Sequence, residues 1–358
     1  MDAGISRDGD AAIRSKEQPT AATKTINLAL QGGGAHGAFT WGVLDRLLEE
    51  KRIEIDGISA TSAGAMNATV LAYGFATGGR DGAKTALAAF WRRVSQAAMT
   101  SPLQASWLDR ALGNHSLRFS LAFVMFDLVT RLFSPYEFNP LNLNPLRDAL
   151  EVSVDFEALR RGACPIKLFL SATNVRTGKV KVFERHEIEA KHVLASGCLP
   201  FMFQAVEIEG EDYWDGGYMG NPAIFPLIHG CESKDIVVVH INPLERDKTP
   251  RNAAEILDRV NEISFNSSLM REMRAIAFVT RLIDQLLVDD GCLKRVFIHS
   301  ISADAVMKKL GASTKLNVDW GFLTHLHAAG RQYAGTWIEE CFDRLGVEST
   351  VDIRSQYL

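Results

Sequence analysis

A disulfide framework is absent. The 358-residue chain has five cysteines, an odd number, and Cys164, Cys198, Cys231, Cys292 and Cys341 lie far apart. Their scatter also lacks the paired spacing of a zinc site and points to a reducing compartment. No long apolar run is free of charges, so a membrane-spanning helix is not expected. A signal peptide is not expected either, because the first 23 residues have no apolar core. An excess of charge of either sign is lacking: 39 lysines and arginines stand against 43 acids, and the net charge of −4 is no basic field to suggest nucleic acid. These absences lead to an expected cytoplasmic protein with a disordered leader over 1–24. They also leave no reason to expect a metal, a cofactor or a nucleic-acid partner.

What is present is globular. Hydrophobic residues make up 47% and charged residues 23%, enough apolar material for a sizeable core. Apolar runs at 26–31, 53–59, 166–173, 180–184, 236–241 and 296–301 read as strands. Helical spacing marks 38–51, 63–76, 82–99, 187–196, 251–287 and 318–345. Strand, tight turn, helix, repeated at once, is the signature of an α/β layer protein. The pattern breaks over 101–145, which reads as an insertion. We therefore expect a catalytic domain over 25–242 containing that insertion, and a helical part over 243–358 packed on the same domain.

Gly32, Gly33, Gly34 and Gly37 form a loop between the first strand and its helix. Bare backbone N–H groups at a helix start suit an anion, either a phosphate or a transient oxyanion. The spacing Gly-x-Gly-x-x-Gly at Gly32, Gly34 and Gly37, with Glu54 or Asp56 about twenty residues on, also fits a dinucleotide site. The second strand-to-helix junction reads Ala60-Thr61-Ser62-Ala63-Gly64. Small residues around one serine are what a sharp nucleophile turn needs, although serine also caps helices. A glycine loop and a serine turn together favour acyl transfer over dinucleotide binding. Further on, Asp215-Gly216-Gly217 is either a plain turn or an accessible carboxylate.

In this order, 32–37, 61–65 and 215–217 resemble the patatin-like phospholipases. The Ser-containing, Pro-ended block at 195–201 and the strand-turn at 173–178 add to the resemblance. It implies a three-layer α/β/α sandwich with a mostly parallel central sheet. It further implies lipid acyl-ester hydrolysis by a Ser-Asp dyad without metal or other cofactor. Ser62 would then be the nucleophile and Asp215 the base. Gly32, Gly33 and Gly34 would form the oxyanion hole, with Gly37, Ala60, Gly64, Gly216 and Gly217 shaping the turns. Three positions depart from the family pattern: Ala60 for the first elbow glycine, Gln31 for a frequent acidic residue, and His36 for a frequent arginine or lysine.

Two other readings stay open. A histidine-dependent α/β-hydrolase would use His240 or His299, both of which follow Asp215 in the chain. A non-catalytic lipid-binding protein could use the same fold. The insertion carries an apolar stripe over 117–133, with Phe119, Phe123 and Phe126 among its aromatics. It is too short and charged to span a bilayer. It fits a core helix, an oligomer interface, or an acyl-chain wall in peripheral contact with a membrane. The expected partner is a lipid or ester substrate.

Overall fold

The computed structural model describes residues 23–98, 120–285 and 293–358. The leader over 1–22 and part of the insertion, including Phe119, lie outside the described residues.

The first strand, β1 (Lys24–Leu30), is buried along its last five residues, as befits a strand covered on both faces. Gly37–Glu49 (α1) follows, then β2 (Ile53–Ala60) and α2 (Ala63–Ala97). The expected pair of helices over 63–99 is one helical stretch broken at Gly78 and Gly79. Within the insertion come α3 (Leu121–Leu132) and a short turn of helix at Pro135–Phe138, and α4 (Pro145–Ser153) closes it. The chain then enters β3 (Lys167–Asn174) and β4 (Val180–Glu184). Next is α5 (Ala190–Ser196), which starts three residues later than its sequence pattern because Glu189 takes the N-cap. The hairpin β5 (Val206–Ile208) and β6 (Glu211–Asp215) turns at Glu209 and Gly210, both at positive φ. β7 (Asp235–His240), α6 (Ala253–Asp284), β8 (Phe297–Ser302) and α7 (Trp320–Cys341) complete the main elements.

The strands form one eight-stranded sheet in the order β5-β6-β3-β2-β1-β7-β8, with β4 also on β3. β3, β2, β1, β7 and β8 run parallel, while β4 and β6 pair antiparallel to β3. Alternation along β7 separates two cores. Val237 and Val239 face the cluster of α1, α2 and α7; Ile236 and Val238 face Leu269 and Met273 of α6. This is the three-layer α/β/α sandwich expected from the sequence. Residues after 242 are not purely helical, since they add β8 to the sheet.

Candidate active site

Parallel strands put their carboxyl ends on one edge, where open α/β sheets hold ligands. Leu30 pairs with Ala60, so the glycine loop and the serine turn leave that edge side by side. Thr61 N–H donates to Leu30 O at 3.2 Å, and the Thr61 hydroxyl donates to Gly220 O at 2.6 Å. The two turns are in van der Waals contact. A Cβ on Gly32 would stand 2.5 Å from the Ser62 Cβ, and one on Gly64 would stand 2.5 Å from Leu30 O. Any side chain at either place would push the loop and the turn apart.

Ser62 sits at φ 55, ψ −122, a conformation that costs a non-glycine residue about 1–3 kcal/mol. Its N–H is held by the Ser196 hydroxyl at 3.0 Å, at the end of α5. Its side chain makes no cap for α2. The plain helix-cap reading of this serine therefore fails. Ser62 is half-buried and reachable from outside.

Asp215 ends β6, where it pairs with Ala172 of β3, and it is fully buried. Its N–H donates to Cys198 O at 2.8 Å, and its Oδ1 accepts from Gly217 N at 2.7 Å. Oδ2 is buried with no hydrogen-bond partner of ordinary geometry. Burial pushes the carboxyl up to about 6, although the Gly217 amide, the facing Ser62 hydroxyl and Lys315 all pull it down. Cys198 and Tyr218 face the same carboxylate. Burial first, and then its charge, pushes both to about 12, so both are neutral at pH 7.

Around the glycine loop some polar groups are paired and others are left open. Gly32 N–H donates to Asn221 Oδ1 at 2.6 Å, while Gly33 and Gly34 N–H have no hydrogen-bond partner among the described residues. Gln31, fully buried, accepts from the backbone of Ile241 and Asn242 at 3.0 and 3.1 Å. It also donates to Asn266 Oδ1 of α6 at 3.2 Å. A carboxylate there could not donate, so the departure to glutamine is matched by its surroundings. His36 is buried and pushed down to about 3 by desolvation, then by Lys315 and Arg246. It is therefore neutral at pH 7.

The sequence-derived residues thus divide. Gly32, Gly33, Gly34, Ser62 and Asp215 meet at one edge, with Gly37, Ala60, Gly64, Gly216 and Gly217 in the turns that bring them there. Phe123 and Phe126 are half-buried on α3. Val124, Met125, Leu128, Leu132 and Phe133 are exposed, so this helix is not a core helix. His240 bonds Tyr357 at 2.7 Å, and His299 bonds Asp235 and Thr350 at 2.9 and 3.0 Å. Both are locked into the C-terminal segment, and neither bonds Ser62. Asp56 is also taken: it accepts from Glu232 and Ser233 N–H at 2.6 and 3.0 Å and pairs with Lys167. It lies in mid-β2, and Glu54 lies at the far end of the strand, opposite Thr25. Neither is placed to hold a ribose at the loop. Asn221, Asn242 and Lys315 escaped sequence reasoning because they sit in no local motif. Among the described residues no cluster of three or more His, Cys, Asp or Glu side chains could hold a metal.

Fold and site together define an α/β/α protein with a glycine loop, a strained serine turn and a buried carboxylate at one sheet edge. A sequence model of the patatin-like phospholipases matches residues 28–228, and the chain belongs to that family. Membership supports lipid ester hydrolysis as its class of activity. Among solved structures it is similar to VipD from Legionella pneumophila, at 16% identity and a TM-score of 0.34, over 86% of this chain and 68% of that one. It is also similar to ExoU, solved in complex with SpcU from Pseudomonas aeruginosa, at 15% identity and a TM-score of 0.36. That match covers 90% of this chain and 53% of ExoU, so the chain spans about half of that relative. No protein of curated function matches. Among the described residues no helix is long and apolar enough to cross a membrane.

Proposed function

We propose that the protein hydrolyses acyl esters of lipids through a Ser62–Asp215 dyad. The observation that carries this is the meeting of three groups: a half-exposed serine in a positive-φ turn, a glycine loop packed on its Cβ, and a buried carboxylate facing its hydroxyl. Asp215 takes the hydroxyl proton as Oγ attacks the ester carbonyl. The oxyanion is received by the N–H groups of Gly33 and Gly34, since Gly32 N–H is already given to Asn221. When the tetrahedral adduct collapses, the proton passes from Asp215 to the departing alcohol and an acyl-serine remains. Water then attacks the acyl carbon, giving its proton to Asp215. Collapse of that adduct returns a proton to Ser62 and frees the fatty acid. A carboxyl near 6 is ionised at pH 7 yet more basic than an ordinary aspartate, as this role needs.

The insertion is assigned to the lipid. Five exposed apolar residues of α3 and the residue after it, with Leu141 and Leu143 beyond, offer a surface for acyl chains. The end of the insertion is tied to the loop that leads to β5: Gln204 Nε2 donates to Asn139 O at 2.9 Å and Ala205 N to Tyr136 Oη at 3.2 Å. Residues 25–242 and 243–358 are assigned to one catalytic unit, because β8 extends the sheet and Asn266 braces Gln31. The test is a panel of phospholipids, neutral lipids and short esters with product analysis. Fatty acid release by the wild type and none by folded Ser62→Ala supports the reading; equal release by both defeats it.

A further inference from the structure

His36 stands next to the glycine loop and carries no charge, so the loop lacks a positive charge of its own. A cation reaches it from elsewhere in the chain. The turn of helix Ala312–Leu316 is fastened to the loop. Thr314 donates its hydroxyl proton to Gly311 O at 2.7 Å and accepts from His36 Nε2 at 2.7 Å. The backbone of the next residue, Lys315, is pressed against Gly34, where a Cβ would collide with its carbonyl. Lys315 lies beyond the 28–228 matched by the family.

Its side chain joins a short chain of hydrogen bonds. Lys315 Nζ donates to Asn242 Oδ1 at 2.8 Å, and Asn242 Nδ2 donates to Gly32 O at 2.7 Å. Gly32 O and Gly33 N–H belong to the same peptide group. A donor on its oxygen draws electron density through that group and makes its N–H a stronger donor, and successive bonds reinforce one another. We infer that Lys315 and Asn242 form a charged relay that polarises the Gly33 N–H toward the oxyanion, in place of a basic residue at position 36. Lys315 acts through Asn242 and is a positioning residue. The relay rests on the dyad reading above and deepens it.

The groups facing Lys315 are Glu262, Asp258, Asp215 and Arg246, with His36 behind. Desolvation lowers its pKa, while the three acids hold it up. The charge is therefore lost at a lower pH than for a free lysine.

The experiment compares wild type, Lys315→Met and Lys315→Arg on a neutral, soluble short-chain ester across pH, with labelling at Ser62 by a fluorophosphonate. Lys315→Met lowers kcat by about tenfold to a hundredfold, less than or equal to the loss of a direct oxyanion donor, and leaves KM within about twofold. Labelling slows in parallel. Lys315→Arg recovers most of the lost rate, and its alkaline limb moves to higher pH because a guanidinium keeps its proton. A purely structural role would not move that limb. Unchanged kcat and labelling in a folded Lys315→Met overturn the relay and leave the dyad standing. So does a loss confined to KM for anionic lipids, which makes Lys315 a headgroup contact. An unmoved alkaline limb in Lys315→Arg overturns it even if the methionine variant does not fold. Absence of labelling at Ser62 in the wild type removes the dyad, and the relay with it.

Discussion

Replacing Asp215 by asparagine separates catalysis from stability. The carboxyl is fully buried, and its pKa is raised from 3.8 to about 6, chiefly by desolvation. That gap corresponds to about 3 kcal/mol by which the folded state disfavours the ionised form. The folded protein holds this proton more tightly than the unfolded chain. The penalty is therefore fully present above pH 6 and fades as pH falls through 6 toward 3.8. Asparagine keeps an oxygen for the Gly217 amide and places an NH2 at the Oδ2 position, which has no partner of ordinary geometry in the wild type. It removes the charge without changing the shape. Urea unfolding at two pH values measures the result. Asp215→Asn gains stability over wild type at pH 7.5, and that gain exceeds the one at pH 5 by about 1.5 kcal/mol. Hydrolysis is lost at both. A stability difference independent of pH would refute the burial argument, and retained turnover would refute the role of base.

Wild-type kcat/KM on a soluble ester falls about tenfold per pH unit below about 6, as the base is protonated; a profile flat down to pH 5 would contradict this. Ser62→Ala loses hydrolysis while its unfolding free energy stays within about 1 kcal/mol of wild type. His299→Ala strips a partner from buried Asp235 and costs about 2 kcal/mol in denaturant unfolding, with turnover per folded molecule unchanged. Replacing Leu128, Leu132 and Phe133 together by serine slows hydrolysis of vesicle lipids at least about tenfold more than that of a soluble ester, as loss of apolar insertion requires. Equal slowing of both substrates would remove the membrane contact.

Much of the fold was legible because its strands are short apolar runs and its two first turns are made of glycine and alanine. The serine turn and glycine loop could be read as a pair, since both lie within two consecutive βα units. Asp215 was legible only through family resemblance, because Asp-Gly-Gly alone reads equally well as a turn. Its burial depends on β6 pairing with β3, a contact far apart in the chain. Gln31 was visible only as a departure from the family pattern, and Asn221, Asn242 and Lys315 were not legible as site residues. The bonds that place them span 73 to 211 residues of chain, and no local pattern encodes such contacts. The helix α3 carried a visible apolar stripe, but periodicity alone does not say whether a stripe meets core or solvent.

The most direct test of the dyad is to trap its covalent intermediate. The protein is mixed with a slowly turned-over ester, quenched in acid within the first turnovers, and mapped by mass spectrometry of its peptides. The expected result is an acyl mass increment on Ser62 in the wild type and none in Ser62→Ala. Steady hydrolysis with the acyl group on another residue, or with no acyl-enzyme even when deacylation is slowed, would contradict it.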